Sequence, residues 1–186
     1  SIGKATSLLK LDRDDEAKAI AIKLSANTET KADGYYVLGK IALKQEKYTE
    51  AILRLTRASK VNPENIDAWV SMANAYIELN KPDKAMTGLI QGIKTNPESF
   101  DLQLLAGQIE LNQENYNEAT QYLDKSVSLN AQSLLANTLY AKNLFATRNF
   151  RSASSYAERA AKIAPKDVDV LTLQADIANQ LGKVAS

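Results

Sequence analysis

Cysteine and histidine are both absent from this 186-residue sequence. Their absence excludes disulfide bonds, thiol nucleophiles and imidazole bases, and it removes the ligands of nearly every protein zinc site. A chain without cysteine is compatible with the cytoplasm and with the periplasm, so the sequence leaves the compartment open. Glycine and proline are also scarce, at 7 and 4 residues, which leaves little of the chain for loops.

Long apolar runs and a strong excess of either charge are missing as well. No stretch approaches the roughly 18 apolar residues that a membrane span needs. The net charge is +1, whereas a nucleic-acid-binding protein typically carries a continuous basic face, so nucleic acid is not an expected partner. Charge is arranged in blocks instead: residues 100–133 carry one Lys and five acidic residues, and residues 134–167 carry six Lys or Arg and two acidic residues. Such blocks indicate pairing between segments or a patterned surface.

What the sequence does contain is a repeat of 34 residues, clearest over residues 32–65. An alanine, a small residue and a proline each recur at this spacing. The alanines are Ala17, Ala51, Ala85, Ala119 and Ala153, the small residues are Ala5, Gly39, Ala73, Gly107, Ala141 and Ala175, and the prolines are Pro63, Pro97 and Pro165, with Ala131 in the remaining place. A period held without insertion predicts a solenoid of stacked repeats.

The period divides the chain into a single array. Its units are a degraded first unit at 1–31, full units at 32–65, 66–99, 100–133 and 134–167, and a final half unit at 168–186. Each full unit has two segments with apolar residues at i, i+3, i+4 and i+7, which predicts two amphipathic helices. The sequence therefore predicts an all-α fold of about eleven helices. Because Ser1 falls inside the first predicted helix, we expect the chain to be a piece of a longer protein.

Several residues have a predicted local role. Asp14 or Asp15 is expected to cap the second helix, and Gly182 is expected to end the last one. Gly39 should lie where the two helices of its unit cross, with Ala51 facing it, because a larger side chain at either position would hold the backbones apart.

The positions that recur form a recognisable pattern. In unit 66–99 they are Trp69, Met72, Ala73, Tyr76, Ala85, Leu89 and Pro97, and in unit 32–65 they are Tyr35, Leu38, Gly39, Ala51, Leu55, Ala58 and Pro63. This pattern resembles the tetratricopeptide repeat, and the resemblance covers essentially the whole chain, most weakly in 1–31. It departs from the family at the turns 46–47 and 114–115, which lack the usual glycine. The resemblance implies a right-handed superhelix of antiparallel helix pairs, whose first helices line a concave groove for extended peptides or partner helices.

The exposed stripe of each first helix then gives the candidate binding residues, about one helical turn apart. They are Tyr36, Lys40 and Lys44, then Val70, Asn74 and Ile77, then Leu104, Gln108 and Asn112, and then Thr138, Lys142 and Phe145. Amides can bond a peptide backbone without selecting its sequence, and lysines favour acidic side chains. Apolar residues at the 34-residue spacing form a ladder that is either a binding surface or core shared by adjacent helices: Leu9, Leu43, Ile77, Leu111 and Phe145.

These observations predict a non-catalytic scaffold that binds a protein or peptide. The sequence has no catalytic motif, glycine-rich phosphate loop or metal-ligand set, so neither an enzyme nor a cofactor is expected. The alternative is a structural or self-associating array, which would form a homo-oligomer in a bacterial envelope or a polysaccharide-export assembly. The segments GKIALKQEKYTEAI and ADIANQLGK suggest this alternative because they resemble bacterial tetratricopeptide arrays, some of which belong to exopolysaccharide-export and protein-sorting systems. Under the scaffold hypothesis, charge reversal at Lys40 and Lys44 is expected to weaken partner capture without lowering thermal stability.

Overall fold

The computed structural model describes residues 1–185, which form eleven α-helices and no strand. The helices are α1 (Ile2–Lys10), α2 (Asp14–Ala26), α3 (Lys31–Lys44), α4 (Tyr48–Val61), α5 (Ile66–Glu78), α6 (Pro82–Thr95), α7 (Phe100–Asn112), α8 (Tyr116–Leu129), α9 (Leu134–Ala146), α10 (Phe150–Ile163) and α11 (Val168–Ala185). The all-α fold that the sequence predicts is confirmed. Over these residues no helix combines the length and apolar character that crossing a bilayer requires.

The helices belong to two compact units. The first unit, Ser1–Pro97, contains α1 to α6, and the second begins at Glu98 and contains α7 to α11. In each unit, consecutive helices pack against one another as antiparallel pairs joined by short turns. The first helix of each pair is called the A helix (α1, α3, α5, α7, α9 and the unpaired α11), and the second is called the B helix (α2, α4, α6, α8 and α10).

Every turn from an A helix to its B helix has the same backbone conformation. One residue in each turn has a positive φ, and these residues recur every 34 positions: Asp12 (57°), Glu46 (56°), Asn80 (54°), Glu114 (61°) and Arg148 (60°). In the α3–α4 turn, the Glu46 N–H donates to the Leu43 carbonyl and the Lys47 N–H donates to the Ala42 carbonyl, both at 2.9 Å. This is a Schellman cap, in which the left-handed residue usually is glycine. None of the five turns supplies one.

The B helices end in extended backbone. Asn62, which precedes Pro63, has φ −129° and ψ 90°, as expected for a residue that a following proline excludes from the helical region. Asn130 ends α8 in a similar conformation, with φ −143° and ψ 86°, although Ala131 follows it. The unit that lacks the proline therefore keeps the same helix end.

The recurring alanines lie in the core. Ala17, Ala51, Ala85, Ala119 and Ala153 are all fully buried. Gly39 does lie at a close helix crossing, but the residue against it is Leu55 and not Ala51: a Cβ placed on Gly39 would lie 2.6 Å from Leu55 Cγ. The reason is that a helical side chain leans toward the N-terminus of its helix, so Leu55 covers the surface one turn before its own Cα.

Two predicted helix boundaries are wrong. The N-cap residue of α2 is Arg13, and no side chain caps this helix, because the Asp14 carboxylate binds Lys44 Nζ at 2.6 Å. The last helix does not end at Gly182. It continues to Ala185, since Gly182 has no positive φ and lies in open space with nothing to stop the helix.

Side-chain caps that the sequence pattern did not predict begin three of the later A helices. The side chains of Asn65, Ser99 and Ser133 accept hydrogen bonds from the N–H groups three residues further on, in α5, α7 and α9. Each satisfies one of the backbone donors left open at a helix start. These caps mark the starts of α5, α7 and α9.

Candidate functional site

The candidate binding residues of the first unit lie on the neighbouring A helices α3 and α5. Tyr36 is half-buried and packs against the cores on both sides of α3. Burial and the neighbouring Asp67 carboxylate raise the pKa of Tyr36 above its ordinary value. Tyr36 therefore stays neutral and connects α3 to α5, with only part of its side chain available to a partner.

The two lysines of α3 differ in their surroundings. Lys44 Nζ lies 2.7 Å from Asp12 and 2.6 Å from Asp14, and it also reaches the Leu9 carbonyl. Asp12 lies in the α1–α2 turn and Asp14 begins α2. Hydrogen bonds to the two carboxylates raise the pKa of Lys44, and Lys44 lowers the pKa of Asp12. Lys40 makes no ion pair within the described chain. Lys44 is thus engaged in joining two repeats. Reversal of its charge would place it against Asp12 and Asp14, so a loss of stability is expected for Lys44 that is not expected for Lys40.

On α5 the two later candidate residues are more exposed than the first. Val70 is half-buried, Asn74 is exposed, and Ile77 is 39% exposed. Within residues 1–185, the Asn74 amide makes no hydrogen bond. Leu9 and Leu43, the ladder residues that precede Ile77 in sequence, pack against core clusters. In this unit the ladder is therefore partly core, and Ile77 is its most open residue.

In the second unit, α7 presents a mixed face. Leu104 and Leu111 are half-buried against the core, whereas Gln108 is half-exposed and Asn112 exposed. Neither amide has a hydrogen-bond partner in the part of the chain that the structure describes. Two amide groups one turn apart, beside two leucines, can bond a backbone and cover apolar side chains.

The candidates on α9 divide between core and surface. Thr138 is buried, and its hydroxyl donates to the Leu134 carbonyl of its own helix at 2.9 Å. Phe145 lies against Phe150 with ring centroids 5.5 Å apart, at the junction of the A and B helices. Lys142 is exposed and makes no ion pair in residues 1–185. Of the three, Lys142 is the side chain most open to a partner.

The last A helix adds residues that the sequence-based candidates did not include. Asp169, Thr172 and Asp176 are exposed on α11. Thr172 and Asp176 follow Thr138 and Lys142 by 34 residues, so one further step of the same period would have found them. The A-helix face of the second unit therefore carries acidic groups in addition to Lys142.

Comparison with known proteins agrees with this architecture. The family model described as tetratricopeptide repeat matches residues 42–109 and 110–177. No curated protein sequence matches the chain. Among solved structures, pilF of Pseudomonas aeruginosa superposes with a TM-score of 0.79 at 18% identity, covering 97% of this chain and 82% of that one.

Two further structures are similar along most of their length. A tetratricopeptide repeat protein from Parabacteroides merdae has a TM-score of 0.75 at 24% identity, covering 99% of this chain and 73% of that one. YrrB, described as a protein with an unusual peptide-binding site, has a TM-score of 0.74 at 20% identity, covering 94% and 90% of the two chains. At identities this low, the similarity of these structures shows a shared fold only. The two matches of the family model span most of the sequence, and they show that the chain is a member of the family. The chain belongs to the tetratricopeptide repeat family.

Proposed function

We propose that the exposed faces of the A helices bind an extended peptide or a helix of a protein partner. Tetratricopeptide repeat proteins are protein-interaction scaffolds, and one observation favours the A-helix faces as the binding surface. Five polar side chains on them have no hydrogen bond or ion pair within residues 1–185: Lys40, Asn74, Gln108, Asn112 and Lys142. Their donors and acceptors are available to a partner, whereas Lys44 on the same face is already paired.

The apolar side chains beside these polar groups would supply contact area. Leu104, Leu111 and Phe145 are each partly buried against the core of the second unit. Their positions are therefore fixed by packing before a partner arrives, which lowers the entropic cost of binding. The described peptide-binding site of YrrB, which shares this fold, supports a peptide as the occupant.

The proposal is tested by capturing a partner with the intact chain and mapping where it binds. Lys40→Glu and Lys142→Glu each turn an attractive charge into a repulsive one, and each is expected to weaken capture by about three- to tenfold. The matched controls are Lys18→Glu and Lys162→Glu, which make the same change at exposed positions of the B helices α2 and α10. Equal losses for the controls, or no loss for the A-face variants, would contradict the proposal.

Self-association is a second candidate function, and exposed apolar side chains of the second unit favour it. Leu135, Val168 and Leu171 are 48%, 73% and 46% exposed. Sedimentation across a wide concentration range tests it: the self-association hypothesis expects oligomers whose fraction rises with concentration and falls for Leu171→Lys. A strict monomer over that range excludes this function and leaves the scaffold proposal untouched.

A further inference from the structure

A side chain that the other 34-residue repeats possess is missing from the B helix α6. Position 88 is glycine, whereas the equivalent positions of the other repeats hold Ile20, Arg54, Tyr122 and Tyr156. In the second unit, the Tyr156 ring lies 4.6 Å from the ring of Tyr140, measured between centroids. Met72 occupies the place of Tyr140 in repeat 66–99, and its methyl carbon lies 2.8 Å from where a Cβ on Gly88 would be. Beside this contact the missing side chain leaves a hollow, which Met72 and Gly88 both line.

The hollow belongs to a groove between α4 and α6 on the B-helix side of the first unit. Two adjoining cavities of about 310 and 580 Å³ form this α4–α6 groove, and both are lined by Ser59, Lys60, Trp69 and Gln91. The first cavity also includes Met72 and Tyr76. Its floor is thus provided by aromatic and thioether side chains of α5, and α4 and α6 form its walls.

The indole at the centre of the groove is held in place. Trp69 Nε1 donates to the Pro63 carbonyl at 2.9 Å, and the Asn96 amide donates to the same oxygen at 3.0 Å. A Cβ on Gly92 would lie 2.8 Å from Trp69 Cγ, so the ring lies directly against the α6 backbone. A fixed aromatic surface can receive an apolar side chain with little further loss of entropy.

The rim of the groove carries charge of one sign. Lys60, Lys84 and Lys94 line the two cavities, and no Asp or Glu lines either of them. None of the three lysines forms an ion pair with the part of the chain that the structure describes. Three unpaired ammonium groups around an apolar floor create a positive potential that favours an acidic partner.

We propose that the α4–α6 groove is a second interaction surface, which takes a short acidic peptide segment with one apolar side chain seated over Trp69 and Met72. Lys84 and Lys94 are ten residues apart on α6, and at about 1.5 Å per residue they span about 15 Å. An extended segment of about five residues covers that distance. This surface is separate from the A-helix faces, and the proposal does not rest on their function.

The chain provides its own probe for this proposal, because Trp69 is its one tryptophan. The intrinsic fluorescence of the intact chain is titrated with a capped pentapeptide that has four glutamates around a central leucine, and with versions whose central residue is phenylalanine or alanine. Saturable changes are expected for leucine and phenylalanine, with at least tenfold weaker binding for alanine. A peptide with four lysines in place of the glutamates is expected not to bind.

Two kinds of variant locate the binding. Gly88→Tyr fills the hollow as Tyr156 does in its repeat, and it displaces the methyl group at the end of the Met72 side chain. It is expected to weaken binding at least tenfold. Its matched control is Ile90→Tyr, at an exposed position of the same helix outside the groove. The double variant Lys84→Glu with Lys94→Glu alters only exposed side chains and is expected to abolish binding, whereas Lys18→Glu with Lys23→Glu preserves it.

Three results would overturn the proposal. The first is the absence of a saturable response to any of the acidic peptides. The second is binding that survives both Gly88→Tyr and the Lys84, Lys94 double reversal. The third is a fluorescence change that appears without peptide as the concentration of the chain rises, and that is lost in the Lys84, Lys94 double reversal. The groove would then be occupied by a second copy of the chain. None of these results bears on capture through Lys40 or Lys142.

Discussion

The turn residue Glu46 offers a direct test of how the repeat is closed. It has a φ of 56°, in the left-handed region that costs a residue with a Cβ about 1–2 kcal/mol. Glycine avoids this cost but loses more backbone entropy on folding, about 0.4–1 kcal/mol. The Glu46 carboxylate forms no hydrogen bond or ion pair within residues 1–185, so its removal adds little. Glu46→Gly is therefore expected to stabilise the chain by about 0.5–1 kcal/mol.

The adjacent residue gives a matched control. Gln45 lies in the same turn and is exposed, but its φ is −89°, which an ordinary side chain adopts without strain. Gln45→Gly brings the entropic cost and also removes the exposed hydrogen bond that Lys47 Nζ donates to Gln45 Oε1 at 2.9 Å. It is expected to destabilise by about 0.5–1 kcal/mol. Asn80→Gly should change stability least, because asparagine tolerates the left-handed region that it occupies at 54°.

Thermal unfolding followed by circular dichroism measures all three variants. For a chain of this size, 1 kcal/mol corresponds to about 2–4 °C in the melting temperature. Glu46→Gly should therefore melt about 1–4 °C above the parent chain, and Gln45→Gly should melt below it by a similar amount. If both glycine variants melt below the parent, the left-handed strain assigned to Glu46 is not present and the reasoning fails.

Two further predictions concern packing and pH. Gly34→Ala is expected to destabilise by about 1–3 kcal/mol, because a Cβ there would lie 2.6 Å from the Cα of Ser25. Gly182→Ala lies in open space on α11 and should stabilise by a few tenths of a kcal/mol. Equal melting temperatures for the two variants would contradict this prediction. Burial and Asp124 raise the pKa of Tyr140 above its ordinary value of 10.0, so the folded chain holds this proton more tightly than the unfolded chain does. This contribution to the free energy of unfolding is fully present below about pH 10 and is lost as the pH rises further. The melting temperature of Tyr140→Phe should therefore fall less than that of the parent chain between neutral and alkaline pH. Equal falls in the two melting temperatures would refute the prediction.

The sequence predicted the helices well because helix packing imposes the repeat. Ala51 and its four equivalents are fully buried, and only a small side chain fits where two helices approach so closely. Each repeat must satisfy the same constraint, so the pattern recurs and can be recognised. The number of helices, eleven, coincides with the predicted one for this reason.

The candidate site was harder to predict because its side chains depend on neighbours from other repeats. Lys44 was assigned to the binding face by helical spacing alone, yet its partners Asp12 and Asp14 belong to the preceding repeat. Thr138 occupies the expected face but bonds the carbonyl of Leu134 and is buried. Spacing gives the face of a helix that a residue occupies, and it does not give the contacts that remove the residue from solvent.

The groove beside α6 shows how a repeat protein can acquire a local surface without changing its fold. The period maintains the backbone through residues such as Ala85 and Leu89, which are fully buried in α6. Gly88 departs from the large residues at its equivalent positions, and the departure removes a side chain while the helix on either side stays intact. Because a glycine in a helix interior costs about 0.5–1 kcal/mol relative to alanine, Gly88 weakens α6 while it leaves space for the Met72 methyl group and the cavity beside it. A position where a unit departs from its own repeat, at a cost in stability, is therefore the place to look for function in such a chain.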